Sequence, residues 1–186
     1  NAVDDGPSNF KEDDMTGHFD DSGFEPLNIA VLTISDTRSE ATDKSGKILK
    51  QGAEESGHRV VEKAIVKDDV YQMRAVFSRW IADPQVHVIV STGGTGIAGR
   101  DSTPEAVQPL LDKPIEGFGE LFRTVSMEEI GTSAIQSRAI AGLSNRTLVF
   151  CLPGSSGACR TGWSRILQPQ LDSRTRPCNF SQMFRA

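Results

Sequence analysis

A chain of 186 residues with a formal net charge of −5 is long enough to close a hydrophobic core as one domain. An acidic balance without a basic face excludes nucleic acid as an expected partner, and no apolar stretch approaches the ~20 residues that cross a bilayer. The cysteines, Cys151, Cys159 and Cys178, form no CxxC pair, which speaks against a zinc site or a disulfide framework and for reduced thiols.

Residues 1–25 read as a tail. Asp4, Asp5, Glu12, Asp13, Asp14, Asp20 and Asp21 are interspersed with Gly, Ser and Pro, too few apolar groups to offset the entropy of ordering. Phe10, Phe19 and Phe24 are the side chains able to pin it to the body or to a neighbouring subunit. No signal-peptide-like apolar region opens the chain, so the expected compartment is the cytoplasm.

From 26 to 186 the pattern is that of one α/β domain. Ile29 to Ile34 reads as a buried strand, and Asp43 to Ser56 as a helix closed by Gly57. Arg59 to Val66 alternates as a second strand. Asp69 to Ala82 sets Val70, Met73, Val76, Phe77 and Trp80 at helical spacing, and Pro84 ends it. Val86 to Val90 is a third strand. Thr103 and Pro104 are the expected N-cap and first residue of a short helix. Gly117 to Phe122 is less regular, a helix is expected over Thr132 to Ala141, a strand over Thr147 to Leu152, and a helix over Ser156 to Leu171. Asp172 to Ala186 is polar and expected to run over the surface. Alternating strands and helices predict a three-layer α/β/α sandwich around a mostly parallel sheet.

In such sheets ligands bind at the carboxyl ends of the strands. Four loops at that edge carry small, polar or acidic residues: Ser35-Asp36-Thr37, Asp68-Asp69, Thr92 to Asp101, and Pro153 to Gly157. The turn Thr92-Gly93-Gly94-Thr95-Gly96 removes side chains where a backbone must come close to a ligand. Its N–H groups and threonine hydroxyls suit phosphate oxygens, although a tight strand-to-helix turn would look the same. Arg100 and Asp101 add a cation for phosphate and a carboxylate for a metal or polar group. No GxxxxGK[ST] and no GxGxxG occurs, so neither a P-loop nor a dinucleotide fingerprint is present.

The segments Ile34-Ser35-Asp36-Thr37, Thr92 to Gly96, Arg100 to Ala106, Gly117-Phe118-Gly119-Glu120, Ser137-Arg138-Ala139 and Leu152-Pro153-Gly154-Ser155 resemble, in order, those of the molybdopterin-binding family, which includes the molybdopterin adenylyltransferases. Glu129 to Ser133 and Thr175 to Phe180 resemble its MoaB branch. The resemblance spans about Asn28 to Phe180. It implies a homo-oligomer, a trimer or a dimer of trimers, with other cofactor-biosynthesis proteins as further partners. It also implies molybdopterin and ATP as ligands, Mg²⁺ as cofactor, and transfer of AMP from ATP to the terminal phosphate of molybdopterin with release of pyrophosphate.

On that resemblance Asp101 and Asp68 are the expected catalytic and metal-binding acids. The alternatives are that Asp101 caps its own turn and that Asp68, like Asp69, serves the start of the next helix. Ser35 and Asp36 are expected at the nucleotide or pterin, with a turn-forming aspartate as the plainer reading. Thr92, Gly93, Gly94, Thr95, Gly96 and Arg100 are expected at phosphate. Ser137 and Arg138 resemble pterin-phosphate contacts, against an ordinary exposed helical arginine, and Glu120 is a further pocket residue. Pro153, Gly154 and Ser155 close the site, as they would any helix cap. His18, His58 and His87 are assigned no role, and Trp80 and Trp163 belong to the core or a subunit interface. Two functions follow: the adenylyltransferase, which the acidic Arg100-Asp101-Ser102-Thr103-Pro104-Glu105 run favours, and a molybdopterin-binding protein without transfer. A scaffold with a relict pocket gains little support.

Overall fold

The computed structural model describes residues 23–184. Six strands form one sheet in the order β2-β1-β3-β6-β5-β4: β1 Asn28–Ile34, β2 Arg59–Val66, β3 Val88–Thr92, β4 Lys113–Pro114, β5 Ile140–Ser144 and β6 Thr147–Leu152. β2, β1, β3 and β6 run parallel, and β5 and β4 are added antiparallel at one edge. The apolar runs bury both faces, as parallel strands under two helical layers must. Ile29, Val31, Val88, Val90, Leu148 and Phe150 pack on one face with Leu49, Phe122 and Trp163. Ala30, Leu32, Ile34, Ile89, Val149 and Cys151 pack on the other with Met73, Phe77 and Trp80. The three-layer α/β/α arrangement is the expected one, and both tryptophans are core residues.

The helices begin where the sequence supplies caps. α1, Lys44–Glu55, starts at Asp43, whose side chain accepts from Gly46 N, and Gly57 follows its end at φ +88°. α2, Val70–Ala82, starts at Asp69, which accepts from Tyr71 N and Gln72 N. α3, Thr103–Val107, has Ser102 as its N-cap, one residue before the expected Thr103. β3 lies two residues later than expected, because its ladder to β1 and β6 begins at Val88.

The stretch after α3 departs most from expectation. Gly117 to Phe122 is not irregular but opens α4, Glu116–Ile130. Phe118, Phe122 and Val125 bury one face of it. A Cβ at Gly119 would stand 2.6 Å from Ala139 O, so glycine there permits close packing and outweighs its poor helix propensity. The helix expected over Thr132 to Ala141 is instead a 3₁₀ turn, Gly131–Gln136, followed by β5. A two-residue turn, Asn145 and Arg146 at φ 44° and 69°, returns β5 into β6, the positive-φ pair that matches strand twist.

The last helical stretch runs as α5, Ser156–Gly162, a π-helical turn, Trp163–Leu167, and α6, Gln168–Leu171. Beyond it the chain does not lie on the surface as expected. Ser173, Asn179 and Ser181 are buried, Asn179 Nδ2 donates to Ser173 O and Thr175 O, and Phe180 packs on Phe150. Local polarity misled because these polar groups bond to one another. Phe24 lies against His58, 5.1 Å between ring centres; Phe10 and Phe19 fall outside the described residues.

Candidate functional site

At the carboxyl ends of β1, β2, β3 and β6 the loops enclose a cleft of about 550 Å³. Ser35 and Asp36 follow β1, Asp68 follows β2, Thr92 to Gly96 with Arg100 and Asp101 follow β3, and Pro153 and Gly154 follow β6. Twelve residues expected at one ligand are thus brought to one cleft by the sheet order.

The glycine turn is built by exclusion. Gly93 sits at φ +109°, where a Cβ would stand 2.2 Å from Ile34 O, and Gly94 at φ +65°, where it would meet Thr103 Oγ1 at 2.4 Å. The turn is then fixed by its neighbours. Gly93 N donates to Leu152 O at 3.0 Å, so this N–H belongs to the sheet rather than to a phosphate. Thr92 Oγ1 donates to Pro153 O at 2.9 Å and Thr103 Oγ1 to Gly93 O at 2.8 Å. Ser45 Oγ donates to Gly154 O at 2.7 Å, pinning the β6 loop to α1. Thr95 Oγ1, by contrast, is buried without a hydrogen-bond partner among the described residues. A buried hydroxyl of that kind is what a ligand acceptor or donor would satisfy.

Three carboxylates face this turn. Asp36 Oδ1 accepts from Asp68 N at 3.2 Å and its Oδ2 from Arg100 Nη1 at 2.6 Å, so Asp36 ties three loops together. Asp68 turns into the cleft, accepting from Ser102 Oγ at 2.8 Å, while adjacent Asp69 goes to the helix cap. Burial raises the pKa of Asp68, and the charges of Asp101 and Asp36 raise it further against the hydrogen bonds from Ser102. Asp101 does cap its own turn, Oδ2 accepting from Ala98 N at 3.0 Å, and it lines the cleft as well. Among the described residues no three His, Cys, Asp or Glu side chains cluster to hold a metal alone. Two carboxylates beside a phosphate cradle are the donor set Mg²⁺ uses when the substrate supplies the remaining oxygens. A carboxylate such as Asp68, whose pKa is raised in part by neighbouring carboxylates, is what a cation would neutralise.

The remaining expected residues lie on the far side of the loop. Ser155 caps α5, accepting from Ala158 N at 3.1 Å, and lines a smaller cavity of about 260 Å³. Thr95, Gly96, Ser137 and Pro153 also border this cavity, and so does Glu129, whose carboxylate accepts from Thr161 Oγ1 at 2.7 Å. Glu120, Ser137 and Arg138 line a third, open groove of about 850 Å³ with Glu105 and Arg123. Arg138, expected on a phosphate, places its guanidinium on protein groups. Nε donates to Gly96 O at 2.8 Å, Nη2 to Asp101 O at 2.6 Å, and Nη1 pairs with Glu105. The arginine holds the Glu105 carboxyl below its ordinary pKa.

Sequence reading missed Ser102, Thr103 and Glu105 as individual contributors, although all three sit in the run after Asp101; adjacency was the available signal. Ser45 and Thr161 gave none, since their partners lie 109 and 32 residues away.

A model of the family described as "Probable molybdopterin binding domain" matches residues 30–173. The chain is 57% identical over 157 residues to molybdenum cofactor biosynthesis protein B of Escherichia coli strain K12, covering 84% of this chain and 92% of that one. A crystal structure of a molybdenum cofactor biosynthesis protein B superposes with a TM-score of 0.78 at 46% identity, over 81% of this chain and 94% of the other. The tungsten cofactor synthesizing protein MoaB from Pyrococcus furiosus superposes with a TM-score of 0.69 at 36% identity, over 77% and 91%. Sheet order, glycine turn and these likenesses agree: the chain belongs to the molybdopterin-binding domain family, among relatives of molybdenum cofactor biosynthesis protein B.

Proposed function

We propose that this protein works in molybdenum cofactor biosynthesis, binding molybdopterin and transferring AMP from Mg-ATP to its terminal phosphate. A molybdopterin phosphate oxygen bonds to the α-phosphorus of ATP, the bond from that phosphorus to the bridging oxygen breaks, and pyrophosphate leaves. The observation that carries this reading is the convergence of Asp36, Asp68 and Asp101 on the glycine turn. Asp68 and Asp101 would hold Mg²⁺, which when bound offsets the negative charge of the phosphates. The Gly94–Gly96 backbone and Arg100 orient phosphate oxygens, and Ser35, Asp36, Pro153 and Gly154 wall the cleft. Ser155, Ser137 and Glu120, on the far side of the loop, are assigned to the pterin end. Catalysis is then positioning and electrostatic stabilisation, with no covalent nucleophile on the protein.

Molybdopterin binding without transfer is the second reading, favoured by one observation: Asp101 already caps its own turn. Incubation with molybdopterin, ATP and Mg²⁺, with and without Asp101→Asn, separates the two. Adenylyl-molybdopterin and pyrophosphate from wild type, lost in the variant, are expected. Pterin binding without either product would leave only the binding reading.

Assembly with further copies of the chain is part of the proposal. Leu121, Met127, Ile130 and Ile135 are large apolar side chains left exposed along α4 and the following turn, and Met127 and Ile130, three residues apart on one helix face, are of the kind that subunit contacts cover. Sedimentation is expected to give a trimer or hexamer. Among the described residues no helix is long and apolar enough to cross a membrane.

A further inference from the structure

We propose that Arg138 is a positioning residue that sets two of the cleft carboxylates, Asp68 and Asp101, through the segment between Thr95 and Glu105, and is not itself a phosphate ligand. This rests on the adenylyl-transfer reading above. Four bonds from this one residue span the loop. Its backbone N donates to Thr95 O at 2.9 Å. Its guanidinium takes Gly96 O at 2.8 Å, Asp101 O at 2.6 Å and the Glu105 carboxylate. Entry, middle and exit of the loop are thereby tied to the strand edge that begins β5.

The peptide between Asp101 and Ser102 carries the effect across. Its carbonyl accepts from Arg138 Nη2 at 2.6 Å, and Ser102, the residue on its far side, donates from Oγ to Asp68 Oδ1 at 2.8 Å. A peptide is planar and rigid, so fixing its carbonyl from one side sets the Cα of Ser102, and with it the hydroxyl that Asp68 accepts, on the other. Asp101 leaves the same peptide unit, and its Oδ2 would stand 2.6 Å from a Cβ on Gly96, so its side chain has little room once Gly96 O is held. The fork of the guanidinium matches two carbonyls and a carboxylate at once; an ammonium in its place offers its three donors from a single nitrogen and does not span the three acceptors.

The test compares wild type with Arg138→Lys in the full chain, reading three quantities: amide hydrogen exchange, Mn²⁺–ATP binding followed by electron paramagnetic resonance, and affinity for molybdopterin. Positioning predicts faster exchange at 96–102 and Mn²⁺–ATP affinity lower by about tenfold, with molybdopterin affinity within about twofold and the loss of rate in kcat rather than KM for molybdopterin. Weaker molybdopterin binding, with exchange and Mn²⁺–ATP binding at the wild-type level, would make Arg138 a phosphate contact and overturn the proposal. So would no change in any quantity. If Arg138→Lys does not fold, Glu105→Gln releases one anchor, and unchanged exchange at 96–102 in that variant overturns it equally. A wild type that forms no adenylyl product sinks the transfer reading alone, because exchange and Mn²⁺–ATP binding still decide the role of Arg138.

Discussion

Asp36 and Arg100 join the loop after β1 to the loop after β3 through a 2.6 Å ion pair in which the guanidinium is 83% exposed and the carboxylate 31%. An arginine that open to solvent adds little to folding, since exposed pairs contribute about 0–1 kcal/mol. It is better placed to exchange Asp36 for an incoming phosphate. Arg100→Ala is therefore expected to leave the denaturant midpoint almost unchanged while weakening Mg-ATP binding by about tenfold, read by calorimetric titration. A large loss of stability with intact nucleotide binding would reverse that assignment.

Asp68 is a case of function held against stability. Its folded pKa lies above the ordinary carboxylate value through burial and the neighbouring charges of Asp101 and Asp36. The folded state therefore binds the proton more tightly than the unfolded chain, and stability falls as pH rises through the raised value. At neutral pH the ionised group is a cost, so Asp68→Asn should raise the melting temperature there by about 2–4 °C and lose the benefit below pH ~4. The same variant should lose Mg²⁺-dependent turnover. A neutral-pH melting temperature below wild type would contradict the argument.

Asp43 carries the opposite load. It is 1% exposed and accepts from Thr33 Oγ1 at 2.8 Å, Gly46 N at 2.8 Å and Lys63 Nζ at 2.7 Å. Burial alone would raise its pKa, but these donors outweigh it and hold the carboxyl below its ordinary value. Its stabilisation is present at neutral pH and lost as pH falls through the lowered value. Asp43→Ala leaves a buried ammonium short of a partner and α1 without its cap, and about 3–5 kcal/mol is expected in urea unfolding.

Two histidines set an acid limit. Leu27 N donates to His58 Nδ1 at 3.2 Å and Asn28 N to His87 Nδ1 at 3.1 Å, so both rings hold the entry of β1 only while neutral at that nitrogen. Burial lowers both pKa values, with Asp172 partly opposing this at His58. The unfolded chain then takes up protons first, and stability present above pH ~6.5 declines as pH falls below it. Melting temperatures from pH 8 to 5 should drop, and His58→Asn with His87→Asn should flatten that drop while keeping an acceptor at each place. An unaltered slope in the double variant would assign the acid sensitivity elsewhere.

The readable parts of the fold were those where one local signal suffices. Ile29 to Ile34 and Thr147 to Leu152 are unbroken apolar runs, and Asp43 and Asp69 stand where a cap is needed. α4 was missed because Gly117 and Gly119 weaken the helical signal, whereas Gly119 is there to admit Ala139 O. β5 is a five-residue strand containing Gly142, whose Cβ would meet Leu111 Cδ1 at 2.6 Å, a packing demand invisible from either segment alone. The cleft was legible as loops at strand ends. Which way each side chain turns was not: Arg138 carries a phosphate-binding chemistry, yet its partners lie 33–42 residues away on the loop it fastens.

The π-helical turn at Trp163–Leu167 makes the last helical stretch a matter of phase. Such a turn holds one residue more than an α-turn of similar rise, and each residue advances an α-helix by about 100°. Removing one residue there would regularise the hydrogen bonding but swing Leu171, fully buried, out of the core, along with the chain that leads to Ser173 and Asn179. The inserted residue thus works as a phase shift within one continuous helical stretch: α5 keeps its cap, Ser155, on the smaller cavity beside the cleft while α6 delivers the C-terminal segment to the opposite end of the sheet, and neither could be re-registered without losing the other.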